Sequence, residues 1–249
     1  MIFLLTDFGA AGHYVGQMKA VLAGRVPALP VFDLMHDAPA FNPKAASYLL
    51  PSLVERLPAE SILVGVVDPG VGTRRPPVII QADDRFFVGP GNGLFEMVIR
   101  QATEVVAWRI TWEPESLSAS FHGRDLFAPV AAHLAQGQRP EDADFAAEPM
   151  DLAERVGQDW PDDLAEIVYI DAYGNATTGL RAENAGERDV EILTPKGPHW
   201  PKRARTFADM PAGVPLYYEN AQGLMEIAVN QGRADTELGL AVGMPLNFV

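Results

Sequence analysis

In the stretch VVDPGVGTRRPPVII (66–80) a carboxylate, Asp68, is followed closely by two adjacent arginines, Arg74 and Arg75. The run SILVGVV before it reads as a buried strand that ends on Asp68, and a second strand-like run, PVIIQA, begins just after the arginines. Two glycines and a proline turn the chain between them. A solvated turn has no need of an arginine beside its carboxylate. A site that must keep a sheltered carboxylate ionised does, because a guanidinium stays protonated and favours the charged form of its neighbour. The chemistry open to such a pair is acid–base and electrostatic.

Other polar residues fall at strand ends. Asp7 closes IFLLTDFG, and His36 and Asp37 close PVFDLMHD. The segment SASFHGRD places His122, Gly123 and Arg124 just before a helix. In open α/β sheets ligands bind beyond the carboxyl ends of strands, so these positions belong together. Singly, each has an ordinary reading. Asp7 can simply make a turn, His36 reads first as a structural histidine, and His122 fits either role. An Asp, an Arg and a His gathered at loop ends is the stronger signal. No dinucleotide-binding glycine motif, P-loop, zinc motif or GxSxG elbow occurs. The chain has no cysteine, which excludes disulfides, thiolate metal sites and cysteine nucleophiles, and fits a reducing compartment.

The 249 residues are 48% hydrophobic, which places the chain among globular proteins, and the formal charge of −14 argues against a nucleic-acid partner. The one basic cluster, PKRAR (201–205), is too short to change that and reads as a solvated loop. No apolar run approaches the ~18 residues of a membrane span. MIFLLTDFGA lacks a basic lead and meets Asp7 at once, so it is not expected to be a secretory leader, and a cytoplasmic location is expected.

The elements that must position these residues alternate. YVGQMKAVLAG, PKAASYLLPSLVERL, LFEMVIRQA and HGRDLFAPVAAHLAQG read as helices, with Pro51 expected to kink the second, and Asp125 and Gly137 to cap the last. PVIIQADDRFFVGPGNG reads as a hairpin turning near Asp83 and Asp84, and EVVAWRI as a further strand. Alternating β and α predicts a mostly parallel sheet covered by helices, an α/β sandwich. The acidic, proline-bearing stretch QRPEDADFAAEPMDLAERVGQDWPDD reads as a linker. After it LAEIVYIDAYGN, RDVEILT, VPLYYEN, LMEIAVN and PLNFV are short β-runs separated by Pro and Gly, which predicts a small β-barrel or sandwich. The expected organisation is an N-terminal α/β domain over 1–155, a linker over 156–164 and a C-terminal β domain over 165–249.

The segments LLTDFG…YVGQMKAVL, DLMHDAP, VVDPGVGTRR, FVGPGNGL, FHGRDLFAPVAAHLAQG, IDAYGNATT and LMEIAVNQG, in this order, resemble the S-adenosyl-L-methionine (SAM) hydrolases, also called SAM hydroxide adenosyltransferases, relatives of the fluorinase and chlorinase enzymes. The likeness runs nearly end to end. It implies an N-terminal α/β domain, a C-terminal β-barrel and a homotrimer whose active sites lie between the first domain of one subunit and the second domain of its neighbour. It implies attack of water on the ribose 5′ carbon of SAM, giving adenosine and L-methionine, with SAM as substrate and no cofactor or metal. By analogy Asp68, Arg75 and His122 are the catalytic set, with the proton going to Asp68 or His122. The substrate-binding residues so implied are Asp7 at the ribose hydroxyls, Phe41 against the substrate and Asn175 at an adenine edge. Tyr173 and Phe207 are placed on the adenine faces and Asp171 at the methionine ammonium; core packing is the competing reading for Tyr173 and Phe207.

Three positions depart from the family pattern. Gly12 stands where an Asp is usual, Ala221 where a Ser is common, and Gly179 where an Asn is usual. They leave the adenosine site intact and touch the methionine end. Three rival functions compete. In a halogenating relative a tyrosine would replace Asp68 and a serine Gly123. A metal-dependent hydrolase would use Asp7, His36, Asp37 and Asp68. The third is a non-enzymatic adenosine or SAM sensor.

Overall fold

The computed structural model describes residues 1–142, 146–186 and 189–248. The chain divides into two compact units, Met1–Gln158 and Asp159–Val249.

The first unit is built on seven strands: β1 (Ile2–Thr6), β2 (Val31–Met35), β3 (Ile62–Val66), β4 (Pro77–Ala82), β5 (Arg85–Pro90), β6 (Val105–Ile110) and β7 (Ala147–Pro149). Their order across the sheet is β2-β1-β3-β5-β4-β6-β7. Helices α1 (Tyr14–Arg25), α2 (Pro43–Val54), α3 (Glu96–Gln101) and α4 (Ala128–Ala135) cover it. Strand alternation sends Ile2, Leu4, Ile62, Val64 and Val66 to one face, against Met18 and Leu22 of α1 and Val130 and Leu134 of α4. Phe3, Leu5, Leu63 and Phe87 point the other way, onto Leu50 and Val54 of α2 and Val98 of α3. Both faces being covered explains why β1 and β3 read as unbroken apolar runs.

The sheet is mixed, not mostly parallel. β2, β1, β3 and β5 run parallel, while β4, β6 and β7 pair antiparallel. The reason is the tight β4–β5 hairpin, where Asp83 adopts φ 50° and its carboxylate accepts the Thr103 and Glu104 N–H groups. A two-residue hairpin can only reverse the chain. Pro51 lies inside α2, which runs on past it to Val54.

The acidic stretch expected to be a linker is in part structure. Ala147–Pro149 is the edge strand β7, and Arg155 reaches Glu96 at 2.9 Å while Arg100 holds the other oxygen of that buried carboxylate at 2.7 Å. Residues 143–145 of the same stretch lie outside the described residues. The last predicted helix of this unit opens on a π-helical turn, Gly123–Phe127, and Asp125 does not cap it. Its carboxylate instead accepts the Ser118 N–H and pairs with Arg124.

Among the described residues the second unit has eight strands: β8 (Leu164–Ile170), β9 (Ala176–Arg181), β10 (Val190–Thr194), β11 (Gly197–His199), β12 (Lys202–Arg203), β13 (Pro215–Glu219), β14 (Leu224–Val229) and β15 (Asn247–Phe248). They form a five-stranded sheet, β12-β13-β14-β9-β8, and a three-stranded one, β11-β10-β15. A bridge between Glu166 and Pro245 links β8 to the chain just before β15. Ile167, Tyr217, Met225, Ile227 and Leu238 fill the core between them. No helix among the described residues is long and apolar enough to cross a membrane.

Candidate active site

The carboxyl ends of β1 and β3 lie side by side, since Asp7 N–H donates to the Val66 carbonyl at 3.3 Å. The chain goes from β1 to β2 on one side and to β3 on the other, so this is the point where the strand order reverses. A cavity of about 380 Å³ opens there, lined by Asp7, Phe8, Tyr14, Phe41, Asp68, Phe121, His122 and Gly123 among others.

Asp68 leaves β3 into a turn that folds back on itself. Val71 N–H donates to the Asp68 carbonyl, and the Thr73 hydroxyl donates to the Gly70 carbonyl at 2.7 Å. Gly72 has φ +75°, and a Cβ there would stand 2.6 Å from the Ala119 carbonyl oxygen. Only glycine lets this turn pack on the loop that leads to His122. The turn thereby swings Arg75 onto Asp68. Arg75 Nε donates to Oδ1 at 2.9 Å and Oδ2 at 3.0 Å, and Nη2 also donates to Oδ2. Both side chains are buried, at 10% and 4% exposure. A buried ion pair of this kind gains little stability, because desolvation offsets attraction. Its value here is a carboxylate held in one orientation in the cavity wall.

Arg75 Nη2 also lies 2.9 Å from His122 Nδ1. Arginine has only donors, so Nδ1 must be the acceptor and the neutral ring carries its proton on Nε2; this tautomer follows from the network. Burial and the Arg75 charge push the His122 pKa below its usual value, with Asp68 and Asp125 opposing. His122 is therefore neutral at pH 7. Asp7 is shifted the other way: burial raises its pKa, against a hydrogen bond at 3.0 Å from Phe41 N–H. Phe41 makes that bond from a left-handed conformation, φ 58°, with its ring 78% exposed. Strain in a bulky residue at a cavity rim is characteristic of functional positions.

The remaining predicted residues gather in the second unit, around a cavity of about 660 Å³ lined by Asp171, Tyr173, Asn175, Phe207, Tyr218, Ala221 and Glu226 among others. Asp171 organises the turn: Oδ1 accepts the Tyr173 and Asn175 N–H groups at 2.9 and 2.8 Å, and Oδ2 accepts Asn175 Nδ2 at 3.0 Å. The Asn175 amide nitrogen is thus occupied, and its Oδ1 has no hydrogen bond among the described residues. Tyr173 stands 77% exposed, and Phe207 packs edge-on against Tyr218 at 5.1 Å.

Asp7, Phe41, Asp68 and His122 thus share one cavity, with Arg75 behind it, and Asp171, Tyr173, Asn175 and Phe207 share another. His36 and Asp37 line neither. Among the described residues no group of three or more His, Cys, Asp or Glu is placed to hold a metal ion. Sequence reading missed Phe8, Tyr14 and Phe121, three rings in mutual contact at 5.2–5.9 Å. In the linear chain they look like core. It also missed Glu226, which is buried and accepts hydrogen bonds from Thr177, Tyr218 and Asn220. A lone glutamate in the apolar run LMEIAV was the available signal. Of the departures, Ala221 lines the second cavity, Gly179 lies within β9, and a Cβ at Gly12 would meet only ordinary contacts at 3.4 and 3.7 Å.

The protonation scheme makes a testable statement. As pH falls, His122 gains a proton on Nδ1 and can no longer accept from Arg75. Its lowered pKa puts the acid limb of kcat below the usual histidine range near 6.5. A kcat–pH profile should show that limb, and His122→Asn should remove it. A limb unchanged in the variant would show that another group titrates.

Comparison with known proteins places these features in context. The model of the SAM hydroxide adenosyltransferase N-terminal domain matches residues 2–144, and that of the C-terminal domain matches residues 165–247. A Thermus thermophilus protein named (R)-S-adenosyl-L-methionine hydrolase is 38% identical, over 100% of this chain and 99% of its own. A protein of the same name from Salinispora arenicola is 36% identical, over 97% of this chain and 95% of its own. A crystal structure described as an uncharacterized conserved protein from Thermotoga maritima is similar with a TM-score of 0.86 at 30% identity, covering 100% of this chain and 99% of that one.

Proposed function

Because the chain belongs to the SAM hydroxide adenosyltransferase family, we propose that it is a hydrolase that splits (R)-S-adenosyl-L-methionine with water into adenosine and L-methionine. The observation that carries this reading is the buried Asp68–Arg75–His122 set at the wall of the cavity that also holds Asp7.

The sulfonium is a good leaving group without protonation, so the difficult task is to align water behind C5′ and take its proton. The Nδ1 lone pair of His122 already faces Arg75, and Nε2–H is a donor. The imidazole therefore has no free lone pair, and Asp68 is the acceptor. Asp68 takes one proton from water as the O–C5′ bond forms, the C5′–S bond breaks, and its electron pair stays on the methionine sulfur. His122 Nε2–H orients the water oxygen. Arg75 holds the Asp68 carboxylate in place and moderates the charge that develops on oxygen. Asp7 accepts from the ribose hydroxyls. Asn175 Oδ1, the free acceptor, suits the adenine amino group, while Tyr173 and Phe207 meet its faces. Asp171 is largely spent on its own turn, and its remaining acceptor capacity serves the methionine ammonium. Asn175→Ala should weaken adenosine binding about 10-fold or more, as loss of a hydrogen bond to a buried polar group does; unchanged affinity by calorimetry would remove it from the site.

A halogenating activity is disfavoured by the same geometry. A halide beside the Asp68 carboxylate meets like-charge repulsion in a sheltered site. The active form is read as a homotrimer in the cytoplasm. In it one subunit's first unit meets its neighbour's second unit, and the hydrogen bonds from 165–167 to 243–246 support a barrel-like second unit. Activity needs no metal, so turnover of SAM should survive a strong chelator. Product analysis with pure protein and SAM tests the reading: adenosine and methionine support it, and no turnover returns the protein to the sensor reading.

A further inference from the structure

His36 lines neither cavity, yet its half-buried ring stands in a continuous chain of polar contacts that ends at the Asp7 loop. Thr6, the fully buried last residue of β1, has its hydroxyl oxygen 2.9 Å from His36 Nδ1. The same oxygen accepts the Phe8 N–H at 3.3 Å. His36 Nε2 is 2.8 Å from Asp33 Oδ1, and Asp33 Oδ2 accepts Lys19 Nζ at 2.6 Å. In one assignment of the relay Thr6 O–H donates to Nδ1 and Nε2–H donates to Asp33. Around this relay the backbones are also tied. Gly9 N–H donates to the His36 carbonyl at 2.7 Å, and Ala38 N–H to the Thr6 carbonyl at 3.2 Å.

Asp7 sits between Thr6 and Phe8, the two residues that meet at the Thr6 hydroxyl. Among the described residues its carboxylate accepts one hydrogen bond from another residue, the Phe41 N–H. The direction of Asp7 is therefore set by Phe41 together with the residues flanking it in the chain. We propose that His36, anchored by Asp33 and Lys19, is a positioning residue for Asp7: it fixes the Thr6–Gly9 loop so that the carboxylate faces the nucleoside hydroxyls. The inference rests on the assignment of Asp7 to nucleoside binding. It gives the histidine of DLMHDAP a role that sequence reading left as structural.

A double-mutant cycle tests it, with adenosine affinity by calorimetry, SAM turnover and melting temperature measured on His36→Phe, Asp7→Asn and the pair. Phenylalanine keeps the ring volume and deletes both polar contacts. His36→Phe should weaken adenosine binding about 10-fold and raise KM, with kcat within about 3-fold of wild type. In the Asp7→Asn background it should weaken adenosine binding no further, although the melting temperature falls in both. His36→Asn, which can again accept from the Thr6 hydroxyl, should recover part of the affinity. Equal losses in both backgrounds, or wild-type affinity in His36→Phe, would overturn the proposal. An Asp7→Asn variant with unchanged adenosine affinity would instead overturn the underlying assignment of Asp7, while hydrolysis of SAM is scored separately by the wild-type protein.

Discussion

Arg75→Ala is expected to lose about 10²–10³-fold in kcat and still to bind adenosine nearly as tightly as the wild type. Arg75 spends its Nε and Nη2 on Asp68 and His122, the two groups proposed to meet water, and it does not line the cavity itself. Its removal does two things to the chemical step. It leaves the Asp68 carboxylate, at 4% exposure, without the guanidinium that holds it in place. It also frees His122 to adopt the other tautomer or to rotate. None of these hydrogen bonds of Arg75 goes to a residue proposed to bind the nucleoside. Arg75→Lys should restore little, because one ammonium cannot face a carboxylate and an imidazole as a planar fork does. Steady-state kinetics and adenosine calorimetry on the same preparations decide the matter. A loss of adenosine affinity as large as the loss of turnover would show that Arg75 organises the whole cavity and not the water.

The second large effect is complementation between subunits. Asp68→Ala disables the first-unit cavity and Asn175→Ala the second, so each chain alone is severely impaired at limiting SAM. If a site is built from the first unit of one chain and the second unit of its neighbour, mixed trimers contain sites with neither defect. Random exchange of equal amounts puts an intact first unit beside an intact second unit in about a quarter of sites, by the head-to-tail pairing of a cyclic trimer. The mixture should therefore recover about that fraction of wild-type activity. If subunit exchange is demonstrated by mass and the mixture stays inactive, the site lies within one chain and the trimer reading fails.

The parts of the fold legible in the sequence were those that local pattern decides. β1 and β3 are unbroken apolar runs because both their faces are covered, and the residues just beyond them, Asp7 and Asp68, stood out for their polarity. The Asp83–Asp84 turn announced the hairpin, but not that β4 would then make one side of the sheet antiparallel. β7 was illegible for a physical reason. It is three residues, Ala-Glu-Pro, with no strand propensity, and it exists because β6 offers an open edge. β9, with ATTGLR, was likewise passed over, since its fully buried threonines satisfy themselves on Glu226 and the Met225 carbonyl in ways no linear pattern shows. The Asp68–Arg75 pair could be anticipated from seven residues of separation and a glycine turn. The direction of His122 could not, because it depends on Gly72 letting the turn reach Ala119.

The most direct measurement follows the oxygen. Pure protein incubated with SAM in heavy-oxygen water should yield adenosine carrying the heavy label on its 5′ oxygen, with unlabelled methionine, at a rate that chloride in the buffer does not divert. Unlabelled adenosine, or 5′-chloro-adenosine as the main product, would contradict the assignment of Asp68, Arg75 and His122 to the activation of water at C5′.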